Sequence, residues 1–182
     1  MTLRLAQLFL LVVPTWAISV SPRPWEITRL SVSGLPYRGD EGLYEPLNTL
    51  AVEVRDPNEY ADPVALSQCI TKFSYGSPPY GVFFNCTEVA YGRWTFAFFP
   101  PPLVPGREQP TYWNPGQNFT LALQLWISSR GIWLKGQADF SVAAGGNLGG
   151  LCSAGGICGF SAKEELLPIF VSQTLSMFDT TE

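Results

Sequence analysis

The residues with chemistry to offer in this chain are four cysteines, Cys69, Cys86, Cys152 and Cys158, two Asn-x-Ser/Thr sequons at Asn85 and Asn118, six tryptophans, and scattered carboxylates; histidine is absent. Without imidazole there is no Ser-His-Asp or Cys-His nucleophile pair, no histidine metal ligand and no side chain that titrates near neutrality in its unperturbed state. Paired carboxylates are what is left for an enzyme. Glycoside hydrolysis runs on two acids, and Glu41, Glu45, Glu53 and Glu88 fall in or near expected loops and sheet edges, so a small secreted hydrolase of cell-wall polysaccharide is the alternative function. The primary expectation is a non-enzymatic binding protein with no cofactor and no metal.

The cysteines read according to compartment. Met1 to Ala17 has a short charged start, an apolar run from Leu5 to Val13, and Pro14-Thr15-Trp16-Ala17, the pattern of a secretory signal cut after Ala17. The run is too short for the ~20 residues of a bilayer span and is interrupted by Gln7 and Pro14, which argues against stable membrane insertion. In an oxidising compartment an even set of four cysteines forms two disulfides, whereas a cytosolic setting would suggest metal or redox chemistry. Of three pairings, Cys69 with Cys86 and Cys152 with Cys158 close the shortest loops, and the second loop has glycines able to turn the chain. The sequons become glycosylation candidates in the same compartment, Asn118 ahead of Asn85 because the latter adjoins a cysteine. The chain is acidic, with a formal net charge of −4, and has no Lys/Arg cluster, so nucleic acid is not an expected partner.

Several short motifs carry less. Arg38-Gly39-Asp40, in a turn-rich loop, has the tripeptide that animal adhesion receptors read, but a three-residue match without a partner context is read as chance. Asp56, Asn58 and Asp62 supply oxygens that suit Ca²⁺, yet the loop lacks the Gly and Glu of an EF-hand, so an Asp-Pro turn is the default. Gly145 to Gly150 lacks the Gly-Lys-Ser/Thr ending of a phosphate loop and is read as a mobile connection to the second disulfide. Pro102-Leu103-Val104-Pro105 matches a PxxP ligand only formally.

These groups must be positioned by strands. Period-2 alternation dominates: residues 25–32, with a bulge expected near Arg29 where the apolar phase shifts from Ile27 to Leu30; Leu50 to Arg55; Ser67 to Phe73; Val82 to Asn85; and Arg93 to Phe99, stopped by Pro100-Pro101-Pro102. The strongest element is a hairpin in which Phe119, Leu121, Leu123, Leu125 and Ile127 share a face with Ile132, Leu134, Gly136, Ala138 and Phe140 when Ile127 is set opposite Ile132. That register places Gln124 opposite Lys135, Thr120 opposite Asp139 and Trp126 opposite Trp133 on the other face. The two indoles then form a surface binding patch, able to stack a sugar ring or to centre a protein interface, unless residues 169–178 or the loop 100–110 cover them. Ser161-Ala162-Lys163-Glu164 has the form of a capping box, followed by a short helical turn and a final strand from Ile169. The expected fold is an all-β antiparallel barrel or sandwich, divided into signal 1–17, β-domain 18–160 and a C-terminal extension 161–182 that packs on it.

Trp25-x-Ile27, the strand ending in Asp56-Pro57-Asn58, Cys69, Cys86 followed by Arg93-Trp94-Thr95-Phe96, and Phe119-Thr120-Leu121 before Gly136-x-Ala138-x-Phe140 together resemble the Alternaria-allergen-like family of small secreted fungal proteins, over roughly residues 25–140. The resemblance implies a compact β-barrel, extracellular life on a fungus and, for some members, an effector or elicitor role at a host surface, with a host protein or cell-wall glycan as partner. Two departures stand out. There is no spare cysteine for the covalent dimer of the family's allergen prototype, which leaves a non-covalent homodimer, and the Cys152 to Cys158 loop and everything from Ser161 lack a counterpart.

Overall fold

A computed structural model describes residues 22–34, 47–58, 61, 65–74, 77–101, 116–154 and 157–176. The strands are β1 (Trp25–Gly34), β2 (Leu47–Arg55), β3 (Leu66–Ser74), β4 (Phe84–Asn85), β5 (Gly92–Phe99), β6 (Asn118–Ile127), β7 (Ile132–Ser141), β8 (Leu148–Cys152), β9 (Cys158–Ala162), β10 (Ile169–Val171) and β11 (Thr174–Ser176), with one short 3-10 turn, Glu164–Leu166. They form two antiparallel sheets. Sheet A runs β3-β2-β1-β9-β8, with β10 also on β1, and sheet B runs β11-β7-β6-β5-β4. Of the two expected architectures the sandwich is the one adopted: each sheet keeps its own edges, β3 and β8 in one, β4 and β11 in the other, so the closed barrel implied by the family resemblance is not formed.

Alternation builds the core. Strand β6 is buried at every odd position from Phe119 to Ile127 and half-buried at every even one. The inward side chains of both sheets meet as aromatic pairs: Trp25 of β1 meets Trp94 of β5 edge-on with centroids 4.6 Å apart, and Phe73 of β3 meets Phe98 of β5 at 5.1 Å. Each such side chain contributes about 1.5–3 kcal/mol by leaving water. The bulge in β1 falls at Thr28, where the register against β2 shifts between Ile27 and Arg29; one extra residue returns Leu30 to the core face.

The two layers are joined at both corners. The disulfide Cys69–Cys86 ties β3 of sheet A to the residue after β4 of sheet B, and beside it Thr87 donates its N–H to Gln68 O at 2.8 Å. At the opposite corner the chain leaves β10, paired with β1, and within two residues enters β11, paired with β7. The single strand expected after Ile169 is therefore two short strands in different sheets, because Ser172-Gln173 spans the gap between layers. Gly136 of β7 makes room for this crossing: a Cβ there would stand 2.7 Å from Ser172 O and 2.7 Å from Val171 Cγ1.

Two further expectations are corrected. Ser161 is consumed by β9, paired with Ser31 and Gly149, so no capping box forms; the turn begins at Lys163 without a side-chain cap. The glycine stretch is not simply a connection, since Gly149 and Gly150 lie in β8 and pair with Ser161 and Phe160. The secretory-signal residues 1–17, Arg38-Gly39-Asp40, Glu41, Glu45, Asp62 and the Pro102–Pro105 motif lie outside the described residues. No helix among the described residues is long and apolar enough to cross a membrane.

Candidate functional site

The β6–β7 hairpin has the register read from its sequence: Ile127 opposite Ile132, Gln124 opposite Lys135, Thr120 opposite Asp139 and Trp126 opposite Trp133. Both indoles are half-buried on the outward face of sheet B, with centroids 5.4 Å apart and planes inclined by 44°. The Cη2 end of Trp126 reaches back over the turn, 3.8 Å from where a Cβ of Gly131 would lie, and Gly131 supplies the positive φ of 62° that the turn requires. Part of the indole area is thus used to brace the hairpin.

Pairing across the sheet extends the patch. Arg93 of β5 is opposite Trp126, and Ser176 of β11 is opposite Trp133, giving one row Arg93, Trp126, Trp133, Ser176. The next row crosses all five strands as Asn85, Thr95, Gln124, Lys135, Thr174. Neither row contains a carboxylate. The segment 174–176 is an edge strand beside Trp133, in the plane of the sheet, and does not lie across the indoles; residues 102–110 and 177–178, the rest of the cover considered, lie outside the described residues. A face with two aromatic surfaces, amides, hydroxyls and cations can stack on a ring and hydrogen-bond its substituents.

The sequons fall on this same sheet. Asn85 is exposed in β4, and Asn118 is half-buried at the start of β6, opposite Ser141. Those exposures run opposite to the order taken from sequence. Cys86 of the first sequon is in a disulfide and Thr87 Oγ1 donates to Gln68 O at 3.1 Å and accepts from Gln68 N at 2.6 Å, so modification at Asn85 would precede folding.

The disulfides are those with the shortest loops. Cys69 is fully buried, whereas Cys152 and Cys158, directly opposite in β8 and β9, close an exposed hairpin tip next to Leu151, which is 85% exposed. Of the oxygens considered for Ca²⁺, those of the described residues are otherwise engaged: Asp56 is buried, accepts from Trp25 Nε1 at 3.0 Å and from Asn58 N at 2.9 Å, while Asn58 Oδ1 accepts from Arg23 N at 2.8 Å. Among the described residues no group of three or more His, Cys, Asp or Glu is placed to hold a metal.

Sequence reasoning missed one concavity. On the outer face of sheet A a groove of about 210 Å³ is lined by Arg29, Ser31, Ala51, Glu53, Gln68 and Ile70. The small residues Ser31 and Ala51, opposite one another, form its floor, and the β1 bulge sets Arg29 at its rim, 3.9 Å from Glu53. The alternation pattern carried this signal in its small outward residues. Its volume is below the roughly 300 Å³ at which small-molecule sites begin.

Fold and face together define an antiparallel β-sandwich, cross-linked by two disulfides, with an outward aromatic row on one sheet. Comparison with family models, with curated proteins and with solved structures finds no match for the chain.

Proposed function

We propose that the chain is a secreted, non-enzymatic binding protein that acts at a host or cell-wall surface through the outer face of sheet B, in the manner of a fungal effector or elicitor. The observation that carries this reading is the outward Trp126–Trp133 pair, held by a hairpin of well-specified register and flanked by polar rows. Trp is enriched where binding energy concentrates. The signal-like start, the two disulfides and the sequons support secretion. The fungal assignment draws on the family resemblance alone.

The paired-carboxylate alternative has less support. Glu53 sits against Arg29 on sheet A and Glu88 is exposed in the β4–β5 connection, while Glu41 and Glu45 lie outside the described residues.

The test is retention of the secreted protein on insoluble chitin, glucan and host wall material, with W126A/W133A as the variant and near-UV circular dichroism as the check on folding. Loss of retention by at least tenfold in a folded variant is expected, since hot-spot aromatics cost about 2 kcal/mol or more on truncation. Unchanged retention by the folded variant overturns the proposal. Glycosylation belongs to the same reading, and N85Q and N118Q are expected to remove discrete mass increments from the secreted wild type.

A further inference from the structure

We propose that the ligand of the sheet B face is an anionic polysaccharide, a chain of uronate sugars, whose rings stack on Trp126 and Trp133 and whose carboxylates meet Arg93 and Lys135. This rests on the reading of that face as the binding surface and names what it takes.

The local charge of this face opposes the charge of the whole chain. The whole chain is acidic, yet among the described residues the row that contains the indoles and the row beside it carry only positive charge: Arg93 opposite Trp126, and Lys135 two residues along β7 from Trp133. Both cations are exposed. On sheet A the outward arginines face carboxylates instead, Arg55 beside Glu26 and Arg29 beside Glu53. The described carboxylate on the sheet B face is Asp139, four residues from Lys135 and so ~13 Å along the strand at ~3.3 Å per residue. It receives the hydroxyl hydrogen bond of Thr120. Glu88 is exposed in the β4–β5 connection, beyond the end of the row that contains Asn85. At physiological ionic strength fields are screened within about 8 Å, so an approaching ligand is governed by the local cations and not by the net charge.

Beside those cations the face presents Asn85, Gln124 and Thr174, while the Thr95 hydroxyl in the same row is buried. Amides and hydroxyls at the ~4.8 Å spacing of neighbouring strands match a hydroxyl-dense chain of rings. Bases of single-stranded nucleic acid also stack on aromatics, but their recognition requires a continuous basic groove along the phosphates, and here the cations are interspersed with neutral groups. A uronate combines a stackable ring, hydroxyls and one negative charge per unit.

The experiment is calorimetric titration of the secreted protein with oligogalacturonate, its methyl-esterified form, a neutral β-glucan oligomer and an oligodeoxynucleotide, for wild type, R93Q/K135Q and W126A/W133A. Oligogalacturonate is expected to bind, to weaken by about tenfold or more on esterification, in R93Q/K135Q and in 0.5 M salt, and to be lost in W126A/W133A. Absence of oligogalacturonate binding overturns the uronate assignment, as does equal affinity for the ester or for wild type and R93Q/K135Q. In each of those cases Trp-dependent binding of the neutral glucan preserves the underlying reading of the face. Oligogalacturonate binding that is unchanged in folded W126A/W133A overturns that reading itself. Tighter binding of the oligodeoxynucleotide overturns the assignment in favour of nucleic acid.

Discussion

The Asp56 carboxylate holds the start of β1 to the end of β2: Trp25 donates its indole N–H to it, and Asn58 donates both backbone N–H and Nδ2, the latter at 2.6 Å. Asp56→Ala leaves the Trp25 indole N–H and the Asn58 backbone N–H without this acceptor, while Asn58 Nδ2 keeps only Arg23 O, so we expect a loss of about 2–4 kcal/mol, read as a lower urea midpoint at unchanged slope. Burial also pushes the Tyr80 phenol above its ordinary value of 10.0. Below pH 10 the phenol is neutral in both folded and unfolded chains; above it the unfolded chain releases a proton that the folded chain keeps, so stability falls as pH rises. Tyr80→Phe is expected to flatten that alkaline decline in Tm, and an identical pH profile would contradict it. From sequence, Asp56-Pro57-Asn58 reads only as a turn, because a buried partner thirty-one residues earlier leaves no local pattern. The outward position of Trp126 and Trp133 is legible, since strict alternation on two adjacent strands fixes which face each residue takes.

Elements differ in how much of their position is local. The β6–β7 hairpin and the β1 bulge follow from phase alone, and the structure has both where alternation places them. The β8–β9 hairpin is invisible to alternation because seven of the residues from Gly145 to Gly159 are glycines without a burial preference. The split of the last strand depends on the distance between sheets, a quantity that sequence periodicity does not carry. Gly136 is the residue this crossing depends on. Gly136→Ala is expected to destabilise the fold by about 1–3 kcal/mol through overpacking against Val171, Ser172 and Trp25, measured by thermal unfolding. The disulfides should separate by position. On the chain-entropy model, removing Cys69–Cys86 with its 17-residue separation costs about 3 kcal/mol and removing Cys152–Cys158 about 2.4 kcal/mol, and the former also empties core volume. Under native conditions a small dithiol should reduce Cys152–Cys158 first, so that alkylation and mass spectrometry find label at Cys152 and Cys158 before Cys69.

As a whole molecule the protein is two sheets stapled at opposite corners, one covalent at Cys69–Cys86 and one woven at β10–β11. Truncation after Pro168 removes the woven corner, exposes the β1 and β7 edges that β10 and β11 pair, and is expected to give an aggregating chain without cooperative unfolding. The two outer faces are then chemically distinct: sheet A has matched ion pairs around a small groove, and sheet B has indoles, amides and cations without carboxylates in the same rows. That asymmetry is the basis for placing function on sheet B. The most direct test is the ¹⁵N spectrum of the indole N–H groups during titration with oligogalacturonate or wall glycan. The account predicts shifts at Trp126 and Trp133 while the buried Trp25 and Trp94 stay fixed; saturable binding that leaves Trp126 and Trp133 unmoved and shifts the backbone amides of Ser31, Ala51 and Ile70 around the sheet A groove would contradict it.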